Sequence, residues 1–452
     1  MKDLTQGPIP RHLVEMSVPI GIGLLLQTLY YLVDLYFVAR LGEAAIAGVS
    51  AAGNVWFIVL ALTQVLGVST VALMSHAVGR KDRDEANHVF NQSITMAAVC
   101  AAITLGGGFG LADWYMGTTG ADQATHDAGV SFLHAFLPGL AIQYVMVVMG
   151  SALRGTGIVK PGMVVQALTV LLNAALAPVM IGGWGTGIAL GAAGAGWAST
   201  ISVTVGTIVL ALYFKKLEKY VAFDGSQLAP KLETWKRMLV IGIPAGGEFL
   251  LMAVYVGLIY WIIKPFGAAA QAGFGLGSRL MQSIFLPAMA VAFAAAPIAG
   301  QNFGAKFAAR VRQTFTSAVT GCVGIMLALT LLIQVIGRML IAAFTHDPAV
   351  IDYAFGFLSM ISWNFAAVGL VFCCSSMFQA LGNTWPSLIS IATRLVTFAI
   401  PALWLSTRAG FEIEQVWLLS VVTVWLQAIV SFLMVRSQLR KRLAFPADLA
   451  TA

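Results

Sequence analysis

Apolar runs of about 20 residues or more recur along the whole of this 452-residue chain, and each is long enough to cross about 30 Å of hydrocarbon as a helix. In lipid every backbone N–H and C=O must find a partner inside the protein, so only helices and closed barrels can span. Barrel strands alternate polar and apolar residues, and these runs do not. The chain is 59% hydrophobic and only 10% charged, where a water-soluble domain carries roughly 25% charged residues. The expected fold class is therefore an all-α polytopic membrane protein with twelve transmembrane helices. The runs fall at 13–39, 46–74, 88–112, 129–152, 160–182, 188–214, 237–264, 273–300, 311–336, 350–381, 385–406 and 413–437. The longest connection, 215–236, is read as a cytoplasmic linker between an N-lobe (1–214, helices 1–6) and a C-lobe (237–452, helices 7–12).

Lysine and arginine give the orientation. With both termini in the cytoplasm, about twenty of the 26 basic residues fall on the inner side and about four outside. Arg279 and Arg394 fall inside spans. The surplus reflects topology and anionic lipid, and it calls for no nucleic-acid partner.

The two halves repeat at an offset of 225 residues. Pro19 matches Pro244, Tyr30 matches Tyr255, Gly42 matches Gly267, Gly79 matches Gly304, and "AAIAG" at 44–48 matches "AAQAG" at 269–273. Each half has an even number of spans, so both begin on the same side and the repeats are parallel. Two such bundles enclosing a central cleft form a transporter architecture.

The cysteines, Cys100, Cys322, Cys373 and Cys374, all fall inside apolar runs and read as small packing residues. The first apolar run is too long for the core of a cleavable signal and contains Asp34, so it is expected to remain as a helix. Phosphate-cradling loops, zinc-protease helices and His/Cys ligand clusters are absent from the sequence, and the loops are too short for a nucleotide-binding domain. The expected protein is no enzyme. It needs no cofactor beyond a coupling ion, H⁺ or Na⁺.

Two acids lie at membrane depth, Asp34 and Glu248. An ionisable group there is costly unless paired or hydrated, and marks a functional site by default. Gln27 and Tyr30 share a helical face with Asp34, so carboxylate, amide and phenol oxygens can surround one proton or small cation. The other reading lets Asp34 snorkel outward, for which an aspartate stem is short. Glu248 follows Pro244 by one turn and could hold a proton or attract a cationic substrate, or make a structural hydrogen bond to a neighbouring helix. Asn173 and Ser199 alone read as helix–helix hydrogen-bonding residues. His76 and Gln301 occupy equivalent repeat positions near cytoplasmic turns and suit a folding or hinge role. Glu248, Met252, Tyr255, Gln64 and Gln143 are the expected substrate-cleft residues.

The stretches "VDLYFVARLGEAAIAGVS", "HAVGRKDRDEA" and "ALRGTG" in the first half, with "GIPAG", "GQNFGAK" and "FQALGNTWPSL" in the second, make the chain resemble bacterial members of the MATE (multidrug and toxic compound extrusion) family over nearly its full length. The resemblance implies export of drugs or toxic metabolites as H⁺ or Na⁺ enters. It assigns a cation site to Asp34 with Gln27 and Tyr30. The family's fifth-helix motif, N-x-x-L-D-P, stands here as "NAALAP", so Asn173 matches and Ala177 replaces the aspartate. A sixth-helix hydroxyl falls on Ser199. Some relatives carry a seventh-helix glutamate where Met252 stands, one turn beyond Glu248. A tenth-helix aspartate has no counterpart in "FAAVGLVFCCSSMF".

Losing the second carboxylate removes one or two oxygens that sodium would need, whereas a lone carboxylate can still bind a proton. H⁺ at Asp34 is therefore expected over Na⁺. The expected partners are small organic substrates and the lipid bilayer, with the chain acting as a monomer in a bacterial inner membrane. A lipid-linked substrate flippase would favour basic residues for phosphate head groups. An intramembrane enzyme would need a second catalytic group at matching depth, and a passive channel would have little use for a tandem repeat with paired prolines.

Overall fold

The structure, a computed structural model, describes residues 1–120 and 122–444 apart from the side chains of Tyr31, Asp34 and Leu35. Among the described residues there is no strand. Twelve helical segments are long and apolar enough to cross a membrane, so this is a multi-pass membrane protein. In the first half α1 (Ile9–Val38) is followed by α2 (Glu43–Gly53) and α3 (Val55–Gly79), which together make one span. Then come α4 (Arg83–Thr119), α5 (Gln123–Gly155), α6 (Lys160–Gly182) and α7 (Ala192–Lys216). The second half holds α8 (Leu232–Ile263), α9 (Ala268–Gly304) and α10 (Ala308–Ala342), then α11 (Pro348–Ile361) and α12 (Phe365–Ala380) as one span, α13 (Trp385–Ser406) and α14 (Ile413–Arg442).

Several helices run well past the ends of the expected apolar runs. At 37 residues α4 and α9 reach roughly 55 Å by helical rise, more than the hydrocarbon requires. Apolarity marks only the part in lipid, while caps set the ends. Asp82, Asp122 and Asp347 accept from backbone amides at the starts of α4, α5 and α11, satisfying donors that the first turn leaves open.

The tandem repeat is present in the backbone. Helices begin at Glu43 and Ala268, Arg83 and Ala308, Gln123 and Pro348, and Lys160 and Trp385, each pair 225 residues apart. Gly42 and Gly267 take φ of 102° and 90° after one turn of 3₁₀ helix. Lys81 and Lys306, at φ 60° and 62°, terminate α3 and α9 with the same pair of hydrogen bonds, Lys81 N to Val78 O with Asp82 N to Ala77 O, and Lys306 N to Phe303 O with Phe307 N to Asn302 O. This is the left-handed helix stop that satisfies the last carbonyls. The copies differ in two places. The α2–α3 span breaks at Asn54 where α9 is continuous, and the α11–α12 span breaks through a 3₁₀ turn at Ser362–Asn364 where α5 is continuous.

The chain forms two compact units, Met1–Asp3 with Ile22–Gly242, and Leu4–Gly21 with Ile243–Ala452. In the first, α5 packs against α2, α3, α4 and α7, and α6 lies along α7. In the second, α9 packs against α10, α11 and α12, while α14 packs against α11, α12 and α13. Close packing of backbones depends on equivalent glycines. A methyl group at Gly48 would stand 2.6 Å from the Thr125 carbonyl oxygen, and one at Gly273 would stand 2.7 Å from Tyr353 Cβ. Cys322, Cys373 and Cys374 are buried free thiols and Cys100 is half-buried and free.

The connection expected as a linker is bound along its length. Lys215 and Lys216 still belong to α7, and α8 starts at Leu232. Between them, Asn87 of α4 accepts from Ala222 N at 2.8 Å, and Asn91 donates to Ala222 O and accepts from Asp224 N, both at 3.0 Å. Gln92 donates to Gln227 O and Ala229 O and accepts from Lys231 N. Arg237 pairs with Glu85 at 3.0 Å. Phe223 closes over the stacked rings of Phe90 and Phe214. In the second unit Gln301, fully buried, accepts from Leu4 N at 3.0 Å, and Arg310 donates to Gly7 O at 2.9 Å.

Gly48→Ala forces contact with backbone atoms that cannot rotate away, and is expected to cost about 1–3 kcal/mol. Gly324→Ala meets open space and is expected to be neutral or stabilising by about 0.5 kcal/mol. Apparent melting temperatures in detergent check both. Equal values for the two variants would contradict the packing described.

Candidate coupling and substrate sites

In the first unit α6 and α7 bring two of the expected residues together. Asn173 Nδ2 donates to Ser199 Oγ at 3.2 Å, and both side chains are fully buried. Among the described residues no donor reaches the buried Asn173 Oδ1, so the pair presents an open acceptor at membrane depth. One turn away, Ala177 and Ala195 join Val38, Ile181, Phe132 and Leu133 in an apolar cluster. Ala177 is fully buried there. The position that the family motif gives to a carboxylate is thus occupied by an alanine buried in an apolar cluster.

Gln27 and Tyr30 are half-buried on α1. Asp34 lies in α1, and its side chain falls outside the described residues. Its backbone is one helical turn before Val38, as Asn173 is one turn before Ala177. Gln64 on α3 and Gln143 on α5 are also half-buried.

In the second unit Glu248 of α8 is half-buried, with the hydroxyls of Ser387 (α13) and Ser375 (α12) in hydrogen-bond reach. Ser387 in turn donates to Ser375 at 2.9 Å. The interhelical hydrogen bond that served as the alternative reading of Glu248 is therefore present. Gly247 makes room for the approach, because a methyl group there would stand 3.2 Å from Leu388. Met252, one turn on, is 41% exposed.

Tyr255 is buried. Its hydroxyl meets Ser420 Oγ at 2.9 Å, its ring packs on Phe398, and the Arg394 guanidinium lies over that ring at 4.2 Å from the centroid. Arg394 thus pairs with a ring face, and among the described residues no carboxylate bonds it. A guanidinium at the centre of a span costs about 2.5–3.5 kcal/mol, and a ring face returns about 0.5–2 kcal/mol. Part of the cost stays uncompensated. Ser375, Ser387 and Ser420 escaped sequence reasoning because a lone serine in an apolar helix gives no sign of its partner.

Among the described residues there is no group of three or more His, Cys, Asp or Glu side chains placed to hold a metal.

Known proteins supply the frame for these sites. The MatE family model matches twice, over residues 19–179 and 244–405, with both copies starting at the repeat prolines. The chain is 26% identical over 381 residues to a probable multidrug resistance protein, YpnP, of Bacillus subtilis, covering 84% of each. It is 22% identical over 408 residues to an FAD transporter of Shewanella oneidensis, covering 89% of each. A solved outward-facing multidrug resistance MATE transporter superposes with a TM-score of 0.91 at 24% identity, covering 98% of both chains.

A double-mutant cycle on Asn173→Ala and Ser199→Ala, read by unfolding in detergent, is expected to show a coupling of about 1 kcal/mol. Additive losses would mean that the two side chains do not depend on each other. With two matched family segments covering most of its spans, the chain belongs to the MatE family of multidrug efflux transporters.

Proposed function

We propose that this protein is a secondary antiporter that exports amphiphilic, often cationic, organic compounds while protons enter, by alternating access. The supporting observation is the tandem arrangement itself: two six-span halves with helix starts 225 residues apart, each carrying one carboxylate at membrane depth, Asp34 and Glu248. Relatives named for drugs and for FAD fit a fold whose cargo varies.

Protons are favoured over sodium because Ala177 is packed in apolar surroundings. Sodium needs several oxygens in fixed geometry, and that position provides none. A proton needs one carboxylate and acceptors that can reorganise. The unpartnered Oδ1 of Asn173 is one such acceptor, with Gln27 and Tyr30 on α1 as further polar neighbours. Protonation of Asp34 removes its charge, and the hydrogen bonds around it change partners. Pro19 interrupts the backbone ladder of α1 and gives the helix a place to bend. Any effect of protonation on substrate affinity is matched by an equal effect of substrate on proton affinity.

The distribution of Lys and Arg supports cytoplasmic termini in a bacterial inner membrane. The chain works in this reading as a monomer, with no cofactor other than the coupling ion. Sodium coupling is the second reading, resting on the remaining oxygens of Gln27, Tyr30, Asn173 and Ser199.

Efflux of a fluorescent cationic dye from proteoliposomes separates the two. A pH gradient alone is expected to drive wild type, with at least a tenfold loss of rate in Asp34→Asn, equivalent to about 1.4 kcal/mol. Movement driven by a sodium gradient alone would establish the second reading, and undiminished proton-driven flux in Asp34→Asn would remove Asp34 from the mechanism.

A further inference from the structure

We propose that Arg394 receives a carboxylate of the transported molecule, so that the second unit takes organic acids and zwitterions as well as cations. Arg394 is the tenth residue of the 22-residue helix α13. The exposed strip of that helix, Trp385, Ile389, Val396 and Ile400, runs along the opposite side. Arg394 shares its side with Ser387, Ser390 and Phe398, all buried. Its charge therefore points into the protein, where snorkelling to the membrane surface along the lipid-facing side is closed to it.

The guanidinium is held in place and incompletely satisfied. The Tyr255 ring fixes its position, and Ser420 and Phe398 fix Tyr255. Nε is buried with no acceptor among the described residues, while the residue as a whole is only half-buried. A guanidinium presents a planar fork of donors that matches both oxygens of a carboxylate. A cation at this depth that lacks a protein counter-ion marks a path for substrate or ion.

Glu248 does not serve as that counter-ion. Glu248 meets Ser387 as Tyr255 meets Arg394, so α8 and α13 lie in a fixed register. The two charges are seven residues apart on this seam, about 10 Å by helical rise. The Glu248 carboxylate is already engaged by two serine hydroxyls. Arg279 is exposed on α9. The seam thus sets a guanidinium and a carboxyl group at a spacing that suits a zwitterion, whose carboxylate would meet Arg394 and whose ammonium would lie toward Glu248.

The inference rests on the efflux reading for the identity of the bound molecule as cargo, and its test runs at equilibrium without a gradient. Purified full-length protein in detergent is titrated with rhodamine B, which bears a free carboxylate, and with its ethyl ester, which has the same aromatic body without that charge. Fluorescence anisotropy reports the dissociation constants. Wild type is expected to bind the acid about tenfold more tightly than the ester. Arg394→Met is expected to abolish the preference by weakening the acid alone, and Arg394→Lys to retain part of it. No preference in wild type, including no binding of either dye, would overturn the proposal. So would an unchanged preference in Arg394→Met, or equal weakening of both dyes, which would make Arg394 structural. Loss of proton-driven dye efflux with the preference intact would overturn the antiport reading and leave this one standing.

Discussion

A charge taken into hydrocarbon must be answered by a partner, by water, or by the chemistry it performs. That constraint organises this molecule. Most of the chain meets it by avoidance, since only a tenth of its residues are charged. The exceptions are met in different ways. Glu248 is answered by two serines from two other helices, Arg394 by a ring face and little else. Near the level of Asp34, Asn173 and Ser199 hold each other and leave one acceptor open. Charged groups at depth are few, and Glu248 and Arg394 each meet a residue of a neighbouring helix.

The helices that carry these groups are placed by a repeat enforced by local chemistry. Left-handed stops at Lys81 and Lys306, glycine turns at Gly42 and Gly267 and close-approach glycines at 48 and 273 recur at one offset, so both copies inherit the same helix starts. The departures fall where a copy has acquired its own task. Asn87, Asn91 and Gln92 of α4 clasp the 222–231 segment, while Asn302 and Arg310 grip residues 4–7 at the start of the chain.

Much of this was legible in the sequence because membranes impose a simple code. Apolar length gave the spans, basic residues suggested the sidedness, and the paired prolines at 19 and 244 revealed the repeat. The polar clasp on α4 was not legible. "NHVFNQSIT" reads as the start of a helix, and nothing in it says that three amides will bond backbone groups 130 or more residues away. The seam between α8 and α13 was hidden for the same reason: Arg394 stood out as a charge, but its resting place on Tyr255 depends on the register of two helices far apart in the chain. Ala177 was visible as a departure from the family motif, and the structure buries it in an apolar cluster.

In the proposed antiport, proton and cargo compete through Asp34. Mixing purified protein with a cationic dye in weakly buffered detergent solution, and following pH with an indicator, reads that competition. Proton coupling through Asp34 predicts a burst of released protons on dye binding in wild type and none in Asp34→Asn, with no dependence on sodium. Dye binding without proton release, an undiminished burst in Asp34→Asn, or release of sodium in place of protons would contradict it.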